Sequence, residues 1–182
     1  MKKLEIEEMG RMSAEQFSKS RKLPLTIVLD NVRSLYNIGS IFRTADAFRL
    51  EKIVLCGITA TPDTNLTEIH KTALGAENTV LWSYSRDTVE TISNYKNQGY
   101  TIVSLEQVHD SVKLDTFIPL ADKKYVLVLG NEVHGVNQSV VDISDFSLEI
   151  PQFGTKHSLN VSVSGGIAIW EFARHLFETL DQ

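Results

Sequence analysis

The sequence predicts an α/β fold in which a mostly parallel sheet is flanked by helices, and two patterns support this prediction. Short runs rich in β-branched residues recur along the chain and alternate with amphipathic stretches at helical spacing. Two of the runs, LTIVL at 25–29 and YVLVL at 125–129, carry apolar residues on both faces. Strands with two apolar faces are covered by helices on each side, as in parallel sheets.

Five segments have the composition of strands, and three have the periodicity of helices. The predicted strands are 25–29, 53–55, 101–105, 125–129 and 146–150. The predicted helices are 37–48, about 86–98 and about 164–180. Apolar residues at helical spacing predict the first and last helices, and Gly99 is the expected end of the second. Because parallel α/β sheets bind ligands at the carboxyl ends of their strands, the loops at those ends hold the candidate functional residues.

Length and composition are those of one folded domain. The chain has 182 residues, of which 42% are hydrophobic and 23% are charged. We predict a polar N-terminal arm over 1–23 and a single domain over 24–182. The formal charge of −5 excludes a protein that binds nucleic acid through overall basic charge, but it is compatible with a local basic patch. The single cysteine, Cys56, permits no internal disulfide and is expected in the core.

The sequence contains no signal for export or for a membrane. Glu5, Glu7 and Glu8 follow the N-terminal lysines at once, where a signal peptide would need an apolar core. The most apolar stretch, 125–129, is far shorter than the roughly 20 residues that a spanning helix needs. We therefore predict a cytoplasmic protein with no membrane partner.

Three polar loops that contain glycine follow predicted strands. The first covers 30–39 and leads into the helix that carries Arg43, the second is GNEVHG at 130–135, and the third is PQFGTKHSLN at 151–160. No GxGxxG follows a strand, a valine replaces the P-loop lysine, and HExxH and GxSxG are absent. The five histidines share no ligand spacing. These patterns predict neither a dinucleotide site nor a metal centre.

Together the loops resemble the three motifs of the SpoU (TrmH-like) RNA 2′-O-ribose methyltransferases, a family within the knotted SPOUT superfamily. The first motif, Asn-x-Gly-x-x-x-Arg-[Ser/Thr]-Ala, is matched by Asn37, Gly39, Arg43, Thr44 and Ala45. LGNEVHGV at 129–136 matches the second motif, and IPQFGTKHSLNVS at 150–162 matches the third. The motifs occur in the right order and span about residues 24–174, so the resemblance covers almost the whole chain.

The resemblance implies properties that composition and spacing do not. Members of the family have a C-terminal trefoil knot, use S-adenosylmethionine and act as homodimers in which the partner's first motif borders each site. In this chain, Trp170 and Phe177 are the candidates for the subunit seam. The resemblance thus implies an enzyme that methylates a ribose 2′-hydroxyl of a structured RNA, with tRNA favoured over rRNA.

The resemblance also assigns residues to the site. The catalytic candidates are Arg43, Asn37, Glu132, Ser158 and Asn160. The cofactor-binding candidates are Leu105, Gly130, Ile150, Ser158 and Leu159. The RNA-binding candidates are Arg33, Arg43 and Lys22, and no metal is expected. A sugar hydroxyl is a poor acid, so donors such as Arg43, Ser158 and Asn160 are suited to stabilising the alkoxide that develops on it.

Alternatives remain open for single residues. The family's arginine is often described as a general base, but a guanidinium keeps its proton at any ordinary pH, and Arg43 can equally clamp a phosphate. Asn37 can be an ordinary helix N-cap, and Glu132 can cap its turn or pair with a cation. Ser158 and Asn160 can simply satisfy loop backbone.

Two other functions remain open as well: a base methyltransferase of the same superfamily, and a non-catalytic RNA-binding protein that keeps the fold. The chain departs from the family at Val133 and His134, where a glycine and an acidic or small residue are usual, which affects the loop's conformation more than its chemistry. We expect RNA contacts from a dimer surface and from the arm, since residues 1–24 hold six basic and four acidic residues and so carry a net charge of +2.

Overall fold

The computed structural model describes residues 1–180, without the side chains of Ile6, Glu7 and Thr179, and it confirms the α/β prediction. The strands are β1 (Leu23–Asp30), β2 (Leu50–Cys56), β3 (Trp82–Ser85), β4 (Thr101–Leu105), β5 (Val112–Lys113), β6 (Tyr125–Leu129) and β7 (Phe146–Glu149). The helices are α1 (Ala14–Lys19), α2 (Leu35–Ala47), α3 (Pro62–Ala73), α4 (Thr88–Asn97), α5 (Gln138–Val141) and α6 (Val161–Leu176). The seven strands form one sheet in the order β3-β2-β1-β6-β4-β7-β5, and every paired strand is parallel to its neighbour.

The central strands are buried on both faces, as their apolar runs predict. All five residues of β6 are buried, and so are seven of the eight residues of β1. Alternate side chains point to opposite faces, so Leu25, Ile27 and Leu29 belong to a core under α2 and α6, while Val28 belongs to a second core under α4 and α5. Cys56 lies in the second core, where burial raises the pKa of its thiol to about 11, so it is a core residue as expected.

The structure contains elements that the sequence patterns did not predict. The helix α3 shows few buried positions and is broken at Asn65, whose φ of −139° is not helical. The edge strand β3 has the sequence WSYS, and β5 has only two residues. Short or interrupted elements lack the apolar periodicity on which such predictions depend.

Gly39 allows α2 and α3 to approach closely. A Cβ atom at this position would lie 2.3 Å from the carbonyl oxygen of Ile69 and 2.2 Å from Thr72 Oγ1, so only glycine fits. The glycine of the first motif therefore serves the packing of α2 against α3.

The N-terminal segment contains a 3-10 turn (Ile6–Met9) and α1, whose Phe17 is buried in the main core. The domain boundary after residue 23 stays a prediction. In the described part of the chain no helix is long and apolar enough to cross a membrane. The carboxyl ends of β1, β6, β4 and β7 lie side by side, and the polar loops meet there.

Candidate active site

A cavity of about 560 Å³ opens at the carboxyl ends of β4, β6 and β7. Its volume lies within the roughly 300–1,000 Å³ typical of small-molecule sites. The apolar part of the wall comes from Leu105, Leu129, Leu148, Ile150, Leu159 and Val161. The polar part includes Glu106, Gln107, Glu132, Glu149, Gln152, His157, Ser158 and Asn160. The structure thus places all five cofactor-binding candidates, Leu105, Gly130, Ile150, Ser158 and Leu159, around one cavity.

The turn after β6 is closed by its own backbone. The amide of Asn131 donates to the carbonyl of Gly135, and the amide of Gly135 donates back to the carbonyl of Asn131, both at 2.9 Å. The side chain of Asn131 accepts from the amides of Val133 (2.8 Å) and His134 (3.1 Å), which lie at the exposed tip of the turn. The two residues that depart from the family pattern are therefore held in a compact turn.

Glu106, at the strand end 104–106 expected to border the cofactor pocket, is a site residue to which no role was assigned from the sequence. Its carboxylate accepts hydrogen bonds from the amides of Val136 and Gln107, both at 2.9 Å, and so joins the turn after β6 to the end of β4. The Gln107 side chain then donates to the carbonyl of His157 at 2.7 Å, which ties in the third loop. A carboxylate directly after a predicted strand is the signal that would have found Glu106.

A chain of hydrogen bonds connects the three motifs. The Asn37 side-chain amide donates to the carboxylate of Glu132 at 3.0 Å, and the Asn160 side-chain amide donates to the Asn37 side-chain carbonyl at 3.1 Å. The carbonyl of Asn160 in turn accepts from the amides of Ser162 (2.9 Å) and Val163 (3.3 Å). We call this set of three side chains the Glu132–Asn37–Asn160 relay.

The relay decides between the open interpretations of its members. The N-cap of α2 is Ser34, so the interpretation of Asn37 as an N-cap is wrong. Asn160 is the N-cap of α6, which for this reason begins at Val161 rather than at the predicted residue 164. Ser158, in contrast, makes no hydrogen bond with any described residue through its hydroxyl group, and it lines the cavity.

Glu132 caps the start of the first motif's helix from outside. Its carboxylate accepts from the backbone amides of Arg33 (3.0 Å) and Ser34 (2.9 Å), as well as from Asn37. Burial alone would raise the pKa of Glu132, but these three hydrogen bonds to the ionised carboxylate outweigh burial and lower the pKa below its ordinary value. The carboxylate is thus ionised at neutral pH and joins the second motif to the first.

We predict that Glu132→Gln destabilises the protein at neutral pH but not in acid. Because the folded-state pKa is lowered, the stabilisation is present above the ordinary pKa of 4.5 and is lost as the pH falls through the lowered value. The side chain is exposed and solvent screens it, so we expect a fall in unfolding midpoint of no more than about 2–4 °C at pH 7. Thermal unfolding of both proteins from pH 7 to pH 3 measures this difference.

The matched control is Glu90→Gln, because the exposed Glu90 carboxylate makes no hydrogen bond or ion pair with the described residues. Its midpoint should follow the wild type at every pH. An equal loss in Glu132→Gln at pH 3 and pH 7 would contradict the role assigned to the ionised carboxylate.

Arg43 does not line the cavity of its own chain. It lies on the exposed side of α2, beside Ser40, Thr44 and Lys71. Arg33 is exposed in the first loop. The ammonium group of Lys22 instead folds back on α1, where it donates to the carbonyl of Phe17 and lies 3.4 Å from the centroid of that ring.

One face of α6 is apolar and exposed. Val163, Ile167 and Trp170 recur at helical spacing on this face and are 40–51% exposed. The Trp170 ring packs against Phe48 and Phe177, with centroids 5.8 Å apart in both pairs. The two candidates for the subunit seam are therefore in contact at the edge of this face.

The chemistry available at the cavity is that of a binding and orienting site. The carboxylates of Glu106 and Glu132 have no cationic partner among the described residues and make the rim electronegative, which suits a ligand that carries positive charge. Within the described residues no three histidine, cysteine, aspartate or glutamate side chains are grouped so that they could hold a metal ion. Ser158 provides a free hydroxyl at the wall.

Comparisons with known proteins point the same way as the geometry. Residues 24–170 match the model of the SpoU rRNA Methylase family. A tRNA (guanosine(18)-2′-O)-methyltransferase of Aquifex aeolicus is 30% identical over 96% of this chain and 80% of its own length. A 23S rRNA (guanosine-2′-O-)-methyltransferase of Nitrosomonas europaea is 35% identical over 83% of this chain and 56% of its own length.

A solved structure matches the fold. The crystal structure of an AdoMet-bound rRNA methyltransferase from Sinorhizobium meliloti superposes with a TM-score of 0.76 at 29% identity, over 91% of this chain and 62% of that one. The chain thus spans less than two thirds of some of these proteins and 80% of another.

Proposed function

The chain belongs to the SpoU rRNA methylase family, and we propose that it transfers a methyl group from S-adenosylmethionine to a ribose 2′-hydroxyl of a structured RNA. The observation that carries this proposal is the single cavity formed by the end of β4, the turn after β6 and the segment 150–160. The similarity of the chain to enzymes named for 2′-O-methylation of tRNA and of rRNA supports this reaction. We favour tRNA, because the relative whose length the chain matches best among those described is named for tRNA. The cytoplasm is its proposed location.

The cavity fits S-adenosylmethionine in size and in charge. Leu105, Gly130, Ile150, Ser158 and Leu159 would hold the cofactor, since they combine backbone polar groups with apolar side chains. The carboxylates at the rim complement its positive sulfonium and ammonium groups. When bound, it supplies the electrophilic methyl group, so the protein needs neither a metal nor a nucleophile of its own.

The protein's task is then to present the sugar oxygen and to stabilise the charge that develops on it. We assign the donation of a hydrogen bond to that oxygen to Ser158, because its hydroxyl lines the cavity and has no partner among the described residues. Asn160 keeps one side-chain N–H free after donating to Asn37. We assign Asn37 and Glu132 as positioning residues, since Asn37 is buried and both serve to hold the loops together.

We propose further that the enzyme is a homodimer and that Arg43 acts across the subunit interface. Arg43 lies outside the cavity of its own chain, so it reaches a site only if a second copy presents one. The exposed apolar face of Val163, Ile167 and Trp170 is a surface that a second copy would cover. We also propose a C-terminal trefoil knot. In the sheet β7 lies between β4 and β5, so the segment that follows β7 begins beside the connection from β4 to β5.

The reaction is tested by the products of nuclease digestion. We expect an unmodified tRNA transcript, after incubation with the protein and S-adenosylmethionine, to yield a nuclease-resistant dinucleotide heavier by one methyl group in mass spectrometry. Only a 2′-O-methyl group blocks cleavage at the neighbouring phosphate, so a methyl group found on a mononucleotide would instead indicate a base methyltransferase. If neither tRNA nor rRNA gains a methyl group, the function is non-catalytic. Ser158→Ala is the control for turnover by a contaminating enzyme.

A further inference from the structure

A second cavity, of about 660 Å³, lies between the N-terminal segment, the C-terminal half of α2 and the turn after α3. Three arginines line it, Arg11, Arg43 and Arg49, and Asp46 is the one acidic residue among its described lining residues. We call this cavity the arginine groove. Its positive lining is notable because acidic residues outnumber basic ones in the chain, 23 to 18.

The charge in the groove is not neutralised by the protein. Of the residues that the structure describes, none forms a hydrogen bond or an ion pair with the guanidinium groups of Arg11, Arg43 and Arg49. Asp46 accepts a hydrogen bond from the hydroxyl of Thr79 at 2.6 Å instead. Arg174, by contrast, forms an ion pair with Glu171. The three guanidinium groups of the groove are thus available to bind an anion.

The backbone at Arg49 gives an independent indication. Arg49 follows the C-cap of α2 with a φ of +52°, a left-handed conformation that glycine adopts without strain and that helices commonly end on. An arginine at such a position is unfavourable for folding, and strain of this kind is commonly retained where a side chain has a function. The chain thus places a guanidinium where folding alone favours glycine.

The charge of Arg49 also acts on the neighbouring Lys22. Burial, followed by the charge of Arg49, lowers the pKa of Lys22, and Asp46 offsets this only in part. The ammonium group of Lys22 is already engaged with Phe17. An anion in the groove would relieve this repulsion.

We propose that the arginine groove binds phosphates of the RNA substrate next to the methylated nucleotide, with Arg49 and Arg11 as phosphate ligands in addition to Arg43. This inference rests on the proposed function, which makes RNA the partner and places Arg43 beside the reacting ribose. Arg43 lies in the last turns of α2 and Arg49 lies just after its C-cap, so their long side chains can contact different phosphates of one strand. Guanidinium groups bind phosphates with two parallel hydrogen bonds, which gives orientation as well as affinity.

The test is Arg49→Gly, because glycine is the residue that this backbone conformation favours. We expect the variant to unfold at the same temperature as the wild type or higher, and to bind an unmodified tRNA transcript about three- to fivefold more weakly. The slope of log affinity against log salt should become shallower by about one phosphate contact. Binding of S-adenosylmethionine, measured by calorimetry, should not change.

Two control variants separate the effect of the lost positive charge from the effect of the changed backbone conformation. Arg86→Ala removes an exposed arginine outside the groove and should leave the affinity for the transcript within about twofold of the wild type, since non-local charges are screened by salt. Leu74→Gly relieves another left-handed residue, with φ +53°, and shows the stability gain expected from the backbone alone.

The proposal is overturned if Arg49→Gly binds the transcript with wild-type affinity and slope, if Arg86→Ala loses as much as Arg49→Gly, or if the wild type does not bind the transcript. Failure of the proposed reaction is recognised separately, by the absence of a methylated dinucleotide from RNA that the wild type binds.

Discussion

Replacing Arg43 with alanine should reduce methyl transfer by roughly 10²- to 10³-fold, the loss typical of removing one group that stabilises developing charge. Ser158→Ala should also lose turnover, because the free hydroxyl at the cavity wall disappears. Neither substitution should unfold the chain, since Arg43 and Ser158 are both exposed. Initial rates with radiolabelled S-adenosylmethionine measure both effects.

Mixing the two inactive variants tests whether Arg43 acts across the interface. In a heterodimer of Arg43→Ala and Ser158→Ala, one site receives an intact Ser158 from its own chain and an intact Arg43 from the partner. If the chains assort at random after denaturation and refolding together, one site in four should be complete, and the mixture should regain about a quarter of the wild-type activity. If Arg43 acts within its own chain, no site in the mixture is complete and the activity stays at the level of the single variants.

The RNA affinity of Arg43→Ala distinguishes the two roles considered for this residue. A phosphate clamp predicts weaker binding of the transcript together with slower turnover, because the contact exists before the reaction. An unchanged affinity with a collapsed turnover would exclude the clamp. Arg43→Lys keeps the charge but loses the bidentate fork, so it should recover affinity better than turnover.

The sequence predicted those parts of the fold that have a strong local pattern. The bounds of the buried strand β6 were predicted to the residue, because its five consecutive apolar residues are all buried and form a local pattern that needs no knowledge of the sheet. The helix α3 was missed, since its apolar pattern is interrupted at Asn65 and its contact with α2 depends on the space left by Gly39. Sheet order and close approaches of this kind connect distant residues and leave no periodic signal.

The candidate site shows the same division. Motif resemblance was enough to assign the five cofactor-binding candidates that line the cavity, but it assigned Asn37, Glu132 and Asn160 as a group without saying how they act. Their hydrogen bonds join residues 95 and 123 positions apart, so no local pattern reveals the relay. The hydrogen bonds of Glu106 and the arginine groove could not be predicted for the same reason, because each depends on segments that only the folded chain brings together.

Gly130, in the second motif, is the site of the other substitution from which we expect a large effect. A Cβ atom at Gly130 would lie 2.1 Å from the carbonyl carbon of Gly135 and from the amide nitrogen of Val136. Both are backbone atoms, and neither can move freely: the paired hydrogen bonds with Asn131 fix Gly135, and the carboxylate of Glu106 fixes Val136. The strain of an added methyl group therefore cannot be absorbed by a side chain, and the turn has to open.

Gly130→Ala should consequently weaken binding of S-adenosylmethionine by about 10- to 100-fold, the equivalent of the roughly 1–3 kcal/mol that overpacking commonly costs. Calorimetric titration measures this loss, and the unfolding midpoint should fall by several degrees with it. Gly154→Ala is the matched control, because a Cβ atom at this glycine of the third motif meets nothing within 4 Å. It should bind the cofactor as the wild type does. Wild-type cofactor affinity in Gly130→Ala would mean that the turn after β6 does not form the wall of the cofactor site, and the assignment of the cavity would then be wrong.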